Sequence, residues 1–255
     1  MIRVTLAGAT GWVGRPLAQA IRDAADLELV AAVARSAAGE TIGDVPVAAS
    51  VDEALSVPSD VFVDYTSAAA VQGHVLAAIR AGRHVVIGSS GLSDQDFIAI
   101  DVEAKKAGVG VIAVGNFALA AALLQRFAVE AAKHFPDWEI IDSAHAGKMD
   151  APSGMARELA WRISEVATSH PEVPLEKTVG LKEARGAEVS GSRIHSLRLP
   201  GYTIGLEVRF GQEDERLTLQ YDGGTGATPY IAGTLLAIRR VSEFRGLVRG
   251  LDRIL

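Results

Sequence analysis

The stretch DSAHAGKMDAPSG, residues 142–154, sets an imidazole, an ammonium and a turn of small residues close together. Lys148 offers three donors and a full charge, which suits a carboxylate oxygen, and in contact with a substrate it could also release a proton. Ser153 and Gly154 open a stretch of helical pattern, SGMARELAWRISEVA, where a hydroxyl can cap the first turn and a backbone N–H is left pointing outward. Together they make a candidate anion grip, with His145 beside Lys148 as a second candidate proton source. Each also has a plainer reading: a loop lysine that is only solvated, a serine that is only a cap, a histidine that serves packing.

A second cluster lies near the beginning of the chain. Gly8, Gly11 and Gly14 stand in GATGWVG, directly after the β-branched run IRVTLA and before RPLAQAIRDA, whose apolar positions have helical spacing. Strand, glycine turn and helix in that order let backbone N–H groups approach a pyrophosphate while the helix N-terminus adds partial positive charge. Gly8, Ala9, Thr10, Gly11, Trp12, Val13 and Gly14 are therefore candidate cofactor-binding residues, although GxxGxxG also suits an ordinary turn. The next strand, LELVAAVAR, runs out at Ala34-Arg35-Ser36 with no carboxylate to accept from ribose hydroxyls. Arg35 could meet a 2′-phosphate there, which favours NADPH with NADH as the lesser alternative; otherwise it is a solvated surface charge.

These clusters need elements to carry them. VFVDYTS and HVVIGSSG read as further strands, with a helix over AAVQGHVLAAIRAG closed by Gly82 between them. DQDFIAIDVEAKKAG, after Ser93, reads as another helix and VGVIAVGNF as another strand. Strands alternating with helices imply parallel crossovers, hence an α/β chain with a Rossmann-like, doubly wound parallel sheet over residues 1–115. The pattern then changes. A long Ala/Leu helix over 118–134 precedes DWEIIDSAHAGK, residues 170–190 are weakly patterned, and SRIHSLRL, TIGLEVRF and ERLTLQYD alternate as half-exposed antiparallel strands do. This predicts an α+β domain over 116–227. The closing TPYIAGTLLAIRRVSEFRGLV reads as helical, and residues 228–255 are expected to return to the first domain. Asn116 falls at the junction, with hinge, cap and contact to a cofactor carboxamide all open to it.

Composition narrows the classes. A net charge of −6 with acids and bases interspersed gives no basic stripe, so nucleic acid is not an expected partner. The absence of cysteine removes disulfide and thiolate chemistry, and the scattered histidines lack zinc-site spacing, so no metal is expected. The chain enters a strand at once, without the charged and apolar regions of an export signal, and contains no long uncharged apolar run; a cytoplasmic protein with no membrane partner is the expectation.

Taken in order and spacing, GATGWVG, DYTS, VIGSSGLS, VGNFALAAALL and above all HAGKMDAPSG resemble the dihydrodipicolinate reductase family. The likeness extends through SRIHSLRLPGYTIGLEVRFG to YIAGTLLA, and so over nearly the whole chain. It implies an NAD(P)H-dependent oxidoreductase of lysine and diaminopimelate biosynthesis that reduces 4-hydroxy-tetrahydrodipicolinate, with a middle domain that forms a homotetramer. It also implies that Gly88, Ser89 and Ser90 stand near the nicotinamide, with Ser90 near substrate, and that the backbone at Thr66 runs along the cofactor. Lys148, Ser153 and Gly154 would grip one carboxylate of a cyclic dicarboxylate, and Lys148 with His145 would supply the proton. Three positions depart from the family pattern: Ala144 replaces the first of two adjacent histidines, Met155 a threonine and Ala227 an arginine. They leave open a different cyclic imine or small carbonyl acid as substrate, or a dinucleotide-binding protein without catalysis.

Overall fold

The β-branched opening run is strand β1 (Ile2–Ala7), and the glycine turn leads into helix α1 (Gly14–Asp23), which buries Leu17, Ala18 and Ile21 along one side. There follow β2 (Leu27–Val33), a hairpin of β3 (Thr41–Ile42) and β4 (Val45–Ala48), α2 (Val51–Leu55), β5 (Val61–Asp64), α3 (Val71–Arg80) and β6 (His84–Ile87). Helix α4 (Asp94–Ala107) starts where Ser93 and Asp96 exchange side-chain and backbone hydrogen bonds in a capping box, and it stops at Gly108, whose φ of 71° is left-handed. Strand β7 (Gly110–Ala113) completes this run.

The middle of the chain forms α5 (Leu119–Ala131), β8 (Asp137–Ala144), α6 (Gly154–Ser164), β9 (Ala187–Val189), β10 (Ser192–Arg198), β11 (Ile204–Gln212) and β12 (Glu215–Gly223). The chain then supplies α7 (Thr228–Arg240) and β13 (Gly246–Arg249). This computed structural model describes residues 1–255 and divides into two units, Met1–Leu119 with Ala227–Leu255 and Ala120–Gly226.

In the first unit eight strands lie in the order β13-β7-β6-β5-β1-β2-β4-β3, parallel except for the β3–β4 hairpin. Ala7, Val33, Phe62, Val85, Ile87 and Val111 pack one sheet face against α2, α3 and α4. Leu6, Val63, Val86 and Ile112, also fully buried, alternate to the face that meets α1 and α7. Both faces are covered, which is why these strands read as nearly unbroken apolar runs. Ala227–Leu255 lies in this unit, and the last part of the closing segment is not helical. Helix α7 ends at Arg240, and after a 3-10 turn Gly246, with φ 86°, opens the edge strand Gly246–Arg249, which pairs in parallel with Gly110–Ala113.

The second unit is a five-stranded sheet in the order β12-β11-β8-β10-β9. Trp138, Ile140 and Asp142 of β8 point to its buried face beside Phe210, Val208 and Leu206 of β11. The Trp138 indole N–H donates to Ser192 Oγ at 2.9 Å, which satisfies the one polar atom of that side chain. The antiparallel expectation holds for β11 against both β8 and β12 and for β10 against β9, but β10 runs parallel to β8, from Arg193 opposite Glu139 to Arg198 opposite Ala144. The long connection through α6 between β8 and β10 permits the parallel crossover that a hairpin could not.

Candidate functional site

In the first unit the glycine turn is held by its own hydrogen bonds. The N–H groups of Gly8 and Ala9 both go to Val33 O, at 2.9 and 3.1 Å, and that of Gly11 goes to Gly8 O at 2.9 Å. No such bond engages the N–H groups of Thr10, Trp12 and Val13, and no side chain caps the start of α1. Two of the glycines are dictated by packing. A Cβ on Gly8 would stand 2.2 Å from Tyr65 O, and one on Gly14 only 1.9 Å from Gly8 O. Gly11 differs: a Cβ there would press only on Gly8 O, at 3.1 Å, and the residue lines an open cavity.

That cavity has a volume of about 630 Å³ and lies over the carboxyl ends of β1, β2 and β5. Its walls include Gly8, Thr10, Gly11, Arg35, Thr66 and His74. Arg35 opens a short 3-10 turn immediately past β2, so the strand end delivers it to the cavity rim. Ala9 is fully buried behind the turn, and exposed Trp12 meets Tyr230 edge-on with ring centres 5.5 Å apart.

The carboxyl end of β5 carries a group that the strand pattern did not single out. Asp64 is fully buried, and its Oδ1 accepts from the Thr66 N–H at 3.0 Å, the Thr66 hydroxyl at 2.7 Å and the Ser89 hydroxyl at 2.6 Å. His74 Nδ1 lies 3.0 Å from Asp64 Oδ2, so α3 braces the same carboxylate. The signal was a carboxylate continuing the apolar run Val61-Phe62-Val63, since a buried acid requires donors around it. Next to it, Tyr65 bonds the Thr234 hydroxyl at 2.6 Å, and burial pushes its phenol well above the ordinary range. Gly88, Ser89 and Ser90 follow β6; the Gly88 N–H donates to Asp64 O at 2.9 Å and the Ser89 hydroxyl to the Asp64 carboxylate. Asn116 accepts from the Ala118 N–H through Oδ1 at 2.8 Å, a turn that leads into α5.

In the second unit Lys148, Ser153 and Gly154 lie on the single connection from β8 to α6. The Lys148 N–H closes a turn on His145 O at 3.0 Å, and the exposed His145 side chain stands at the far end of that turn. Lys148 Nζ pairs with Asp150 Oδ1 at 2.7 Å, and that ammonium holds the Asp150 carboxyl below the usual carboxylate range. Ser153 is the N-cap of α6, its Oγ accepting from the Ala156 N–H at 3.3 Å. Gly154, at the first helical position, has no earlier carbonyl within reach of a helical bond. The departures Ala144, Met155 and Ala227 are all buried.

Two further residues shape this connection. Asp142, at 0 % exposure, accepts at Oδ2 from the Ser153 N–H at 2.8 Å, the Ser196 hydroxyl at 3.1 Å and Arg198 Nη2 at 2.8 Å. Burial pushes its carboxyl up, but the bonds from Arg198 and Ser153 outweigh that and hold it below the ordinary value. Alternation along β8 held the clue: Asp142 shares a face with Trp138 and Ile140, where a charge needs a partner.

With a parallel sheet covered on both faces and a glycine turn at the end of its first strand, the chain is of the class of NAD(P)H-dependent oxidoreductases. Family comparison narrows the class. The family model for the N-terminus of dihydrodipicolinate reductase matches residues 2–117, and that for its C-terminus matches residues 120–255. The chain therefore belongs to the dihydrodipicolinate reductase family. A 4-hydroxy-tetrahydrodipicolinate reductase of Halalkalibacterium halodurans is 37% identical over 264 residues, covering 100% of both chains. One from Beutenbergia cavernae is 37% identical over 257 residues, covering 100% of this chain and 98% of the relative. Among solved structures, a dipicolinate-bound dihydrodipicolinate reductase from Paenisporosarcina sp. TG-14 is 33% identical, with a TM-score of 0.84 and 100% of both chains covered.

Proposed function

We propose that the protein reduces 4-hydroxy-tetrahydrodipicolinate to tetrahydrodipicolinate, in lysine and diaminopimelate biosynthesis, using NADPH in preference to NADH. The observation that carries this reading is the intact Lys148-to-Gly154 block on the β8–α6 connection of a chain that matches the family from end to end. Substrate and product differ by one oxygen: a hydride replaces the hydroxyl, which leaves as water with one proton. The reduced nicotinamide supplies the hydride when bound. Lys148, the Ser153 hydroxyl and the Gly154 N–H hold a substrate carboxylate, with Ser90 a further contact, and Lys148 with His145 provides the proton.

The first unit's residues fit a dinucleotide. The N–H groups of Thr10, Trp12 and Val13 and the uncapped start of α1 suit a pyrophosphate, and the small residue at Gly11 keeps the cavity open beside them. Ala9, Gly8 and Gly14 give the turn its shape. Arg35 at the rim takes the 2′-phosphate, while Thr66, Gly88, Ser89 and Asn116 line the nicotinamide end. A homotetramer formed through the second unit belongs to the same reading, supported there by the exposed Val179, Leu181 and Leu199; light scattering in solution tests it. A cytoplasmic location belongs to it as well, and no helix is long and apolar enough to cross a membrane.

Purified protein given NADPH and freshly generated 4-hydroxy-tetrahydrodipicolinate is expected to consume the cofactor. A second reading keeps fold and cofactor but takes another cyclic imine or small carbonyl acid, favoured by the apolar Ala144, Met155 and Ala227 where the family pattern has polar groups. Cofactor oxidation with such compounds, and none with the dicarboxylate, would select it.

A further inference from the structure

Arg198 lies on β10 and belongs to none of the assignments above, yet its guanidinium joins two points of the Lys148 connection. Nη2 donates to Asp142 Oδ2 at 2.8 Å and to Asp150 O at 2.6 Å, while Nη1 donates to Asp142 O at 3.1 Å and Leu197 O at 2.8 Å. Asp142 in turn holds the Ser153 N–H. Both ends of the segment Asp150–Ser153 are thus tied to one ion pair, whose carboxylate is fully buried and whose guanidinium is partly exposed, and Asp150 carries the carboxylate that holds Lys148.

The charges matter as much as the positions. Asp142 places a buried negative charge against the N–H that immediately precedes Gly154, at the positive end of α6. Left alone, that charge would occupy the helix end's field and repel an arriving carboxylate at short range in a poorly screened site. Arg198 neutralises it. As a device for stability the pair is poor, because Asp142 Oδ1 and Arg198 Nε are buried without a protein partner and the desolvation of both ions is only partly recovered.

We infer that Arg198 is a positioning residue for the substrate carboxylate: it fixes the segment between Lys148 and Gly154 and cancels the Asp142 charge, so that the start of α6 accepts an anion. The inference rests on the assignment of Lys148, Ser153 and Gly154 to that carboxylate. Its signature is a pattern across variants that simple loss of folding does not give.

The test compares wild type, Arg198→Ala, Asp142→Asn, the double variant and Lys148→Ala. Three readouts are taken on each: the substrate KM and kcat, the Kd for dipicolinate by calorimetry, and the Kd for NADPH by fluorescence. Arg198→Ala should raise the substrate KM and the dipicolinate Kd about tenfold or more, with kcat less affected and NADPH affinity within about twofold of wild type. Adding Asp142→Asn should recover at least about threefold of that loss, because it removes the charge that Arg198 no longer cancels. A dicarboxylate affinity unchanged in Arg198→Ala, or a double variant no tighter than the single one, overturns the inference. Should Arg198→Ala fail to fold, Arg198→Lys replaces it: a lysine keeps the charge but lacks the planar fork that spans Asp142 and Asp150, so its loss should be intermediate, and wild-type dicarboxylate affinity again overturns the inference. Lys148→Ala separates the two levels. If it leaves dicarboxylate binding intact, the grip itself is misassigned; if it weakens binding while Arg198→Ala does not, only the role of Arg198 falls.

Discussion

Asp64 Oδ2 and His74 Nδ1 lie 3.0 Å apart at the carboxyl end of β5, and the other oxygen of the same buried carboxylate collects the hydroxyls of Thr66 and Ser89. One acid thus joins the end of β5, helix α3 and the segment after β6, and Thr66 and His74 line the cavity of the first unit. The bracing is mutual: the histidine fixes the carboxylate, and the carboxylate fixes the two hydroxyls.

Replacing Asp64 by Asn should therefore act on the cofactor more than on substrate. The amide keeps the oxygen that accepts from Thr66 and Ser89 but loses the charge, and its NH2 takes the place of the oxygen facing His74 Nδ1. A stability loss of about 3 kcal/mol and a tenfold or so weaker NADPH Kd are expected. Chemical denaturation and fluorescence titration measure the two; unchanged NADPH affinity would refute the bracing role.

The three glycines of the turn should respond differently. Gly14→Ala forces a Cβ to within 1.9 Å of Gly8 O and should cost at least about 3 kcal/mol of stability. Gly11→Ala meets only one contact, at 3.1 Å, and should cost no more than about 1 kcal/mol while weakening NADPH binding. A melting series with and without cofactor distinguishes these outcomes, and equal cofactor binding in Gly11→Ala would remove that residue from the site.

Arg35→Ala should cost NADPH affinity about tenfold or more and leave NADH affinity within about twofold, since only the 2′-phosphate loses a partner. Parallel loss for both dinucleotides, or for neither, would contradict the assignment.

Asp142 makes a pH prediction whose sign is determined by its surroundings. Its carboxyl is held below the ordinary value of about 3.9 in the folded protein. The corresponding stability is fully present above about pH 5 and is lost as pH falls through the depressed folded value. Urea unfolding between about pH 3 and 6 should show a shallower acid limb in Asp142→Asn than in wild type. Identical slopes would contradict it.

How much of this was legible in the sequence follows from what a period can encode. Strands buried on both faces, such as Val61–Asp64 and Gly110–Ala113, stood out as short apolar runs between helical patterns, so the parallel sheet could be read directly. Strand direction could not: SRIHSLRL alternates equally well parallel or antiparallel, and only its partner β8 makes β10 parallel. Gly246–Arg249 is too short to distinguish from the helix before it by period, and the left-handed glycine that divides them was the usable cue. At the site, the residues on loops, Lys148, Ser153 and the glycine turn, stood out because their types are unusual in context. Asp64 and Asp142 showed only as acids on apolar strand faces, and Arg198 looks like one more position of the alternation until its partners, far away in sequence, are known.

The most direct test of the account is the steady-state reduction of 4-hydroxy-tetrahydrodipicolinate by wild type and Lys148→Ala, with NADPH binding measured on the same preparations. A loss of about a hundredfold or more in kcat/KM for the variant, with NADPH affinity within about twofold of wild type, is the predicted result. Equal turnover by the two proteins would contradict the assignment of that ammonium to the substrate.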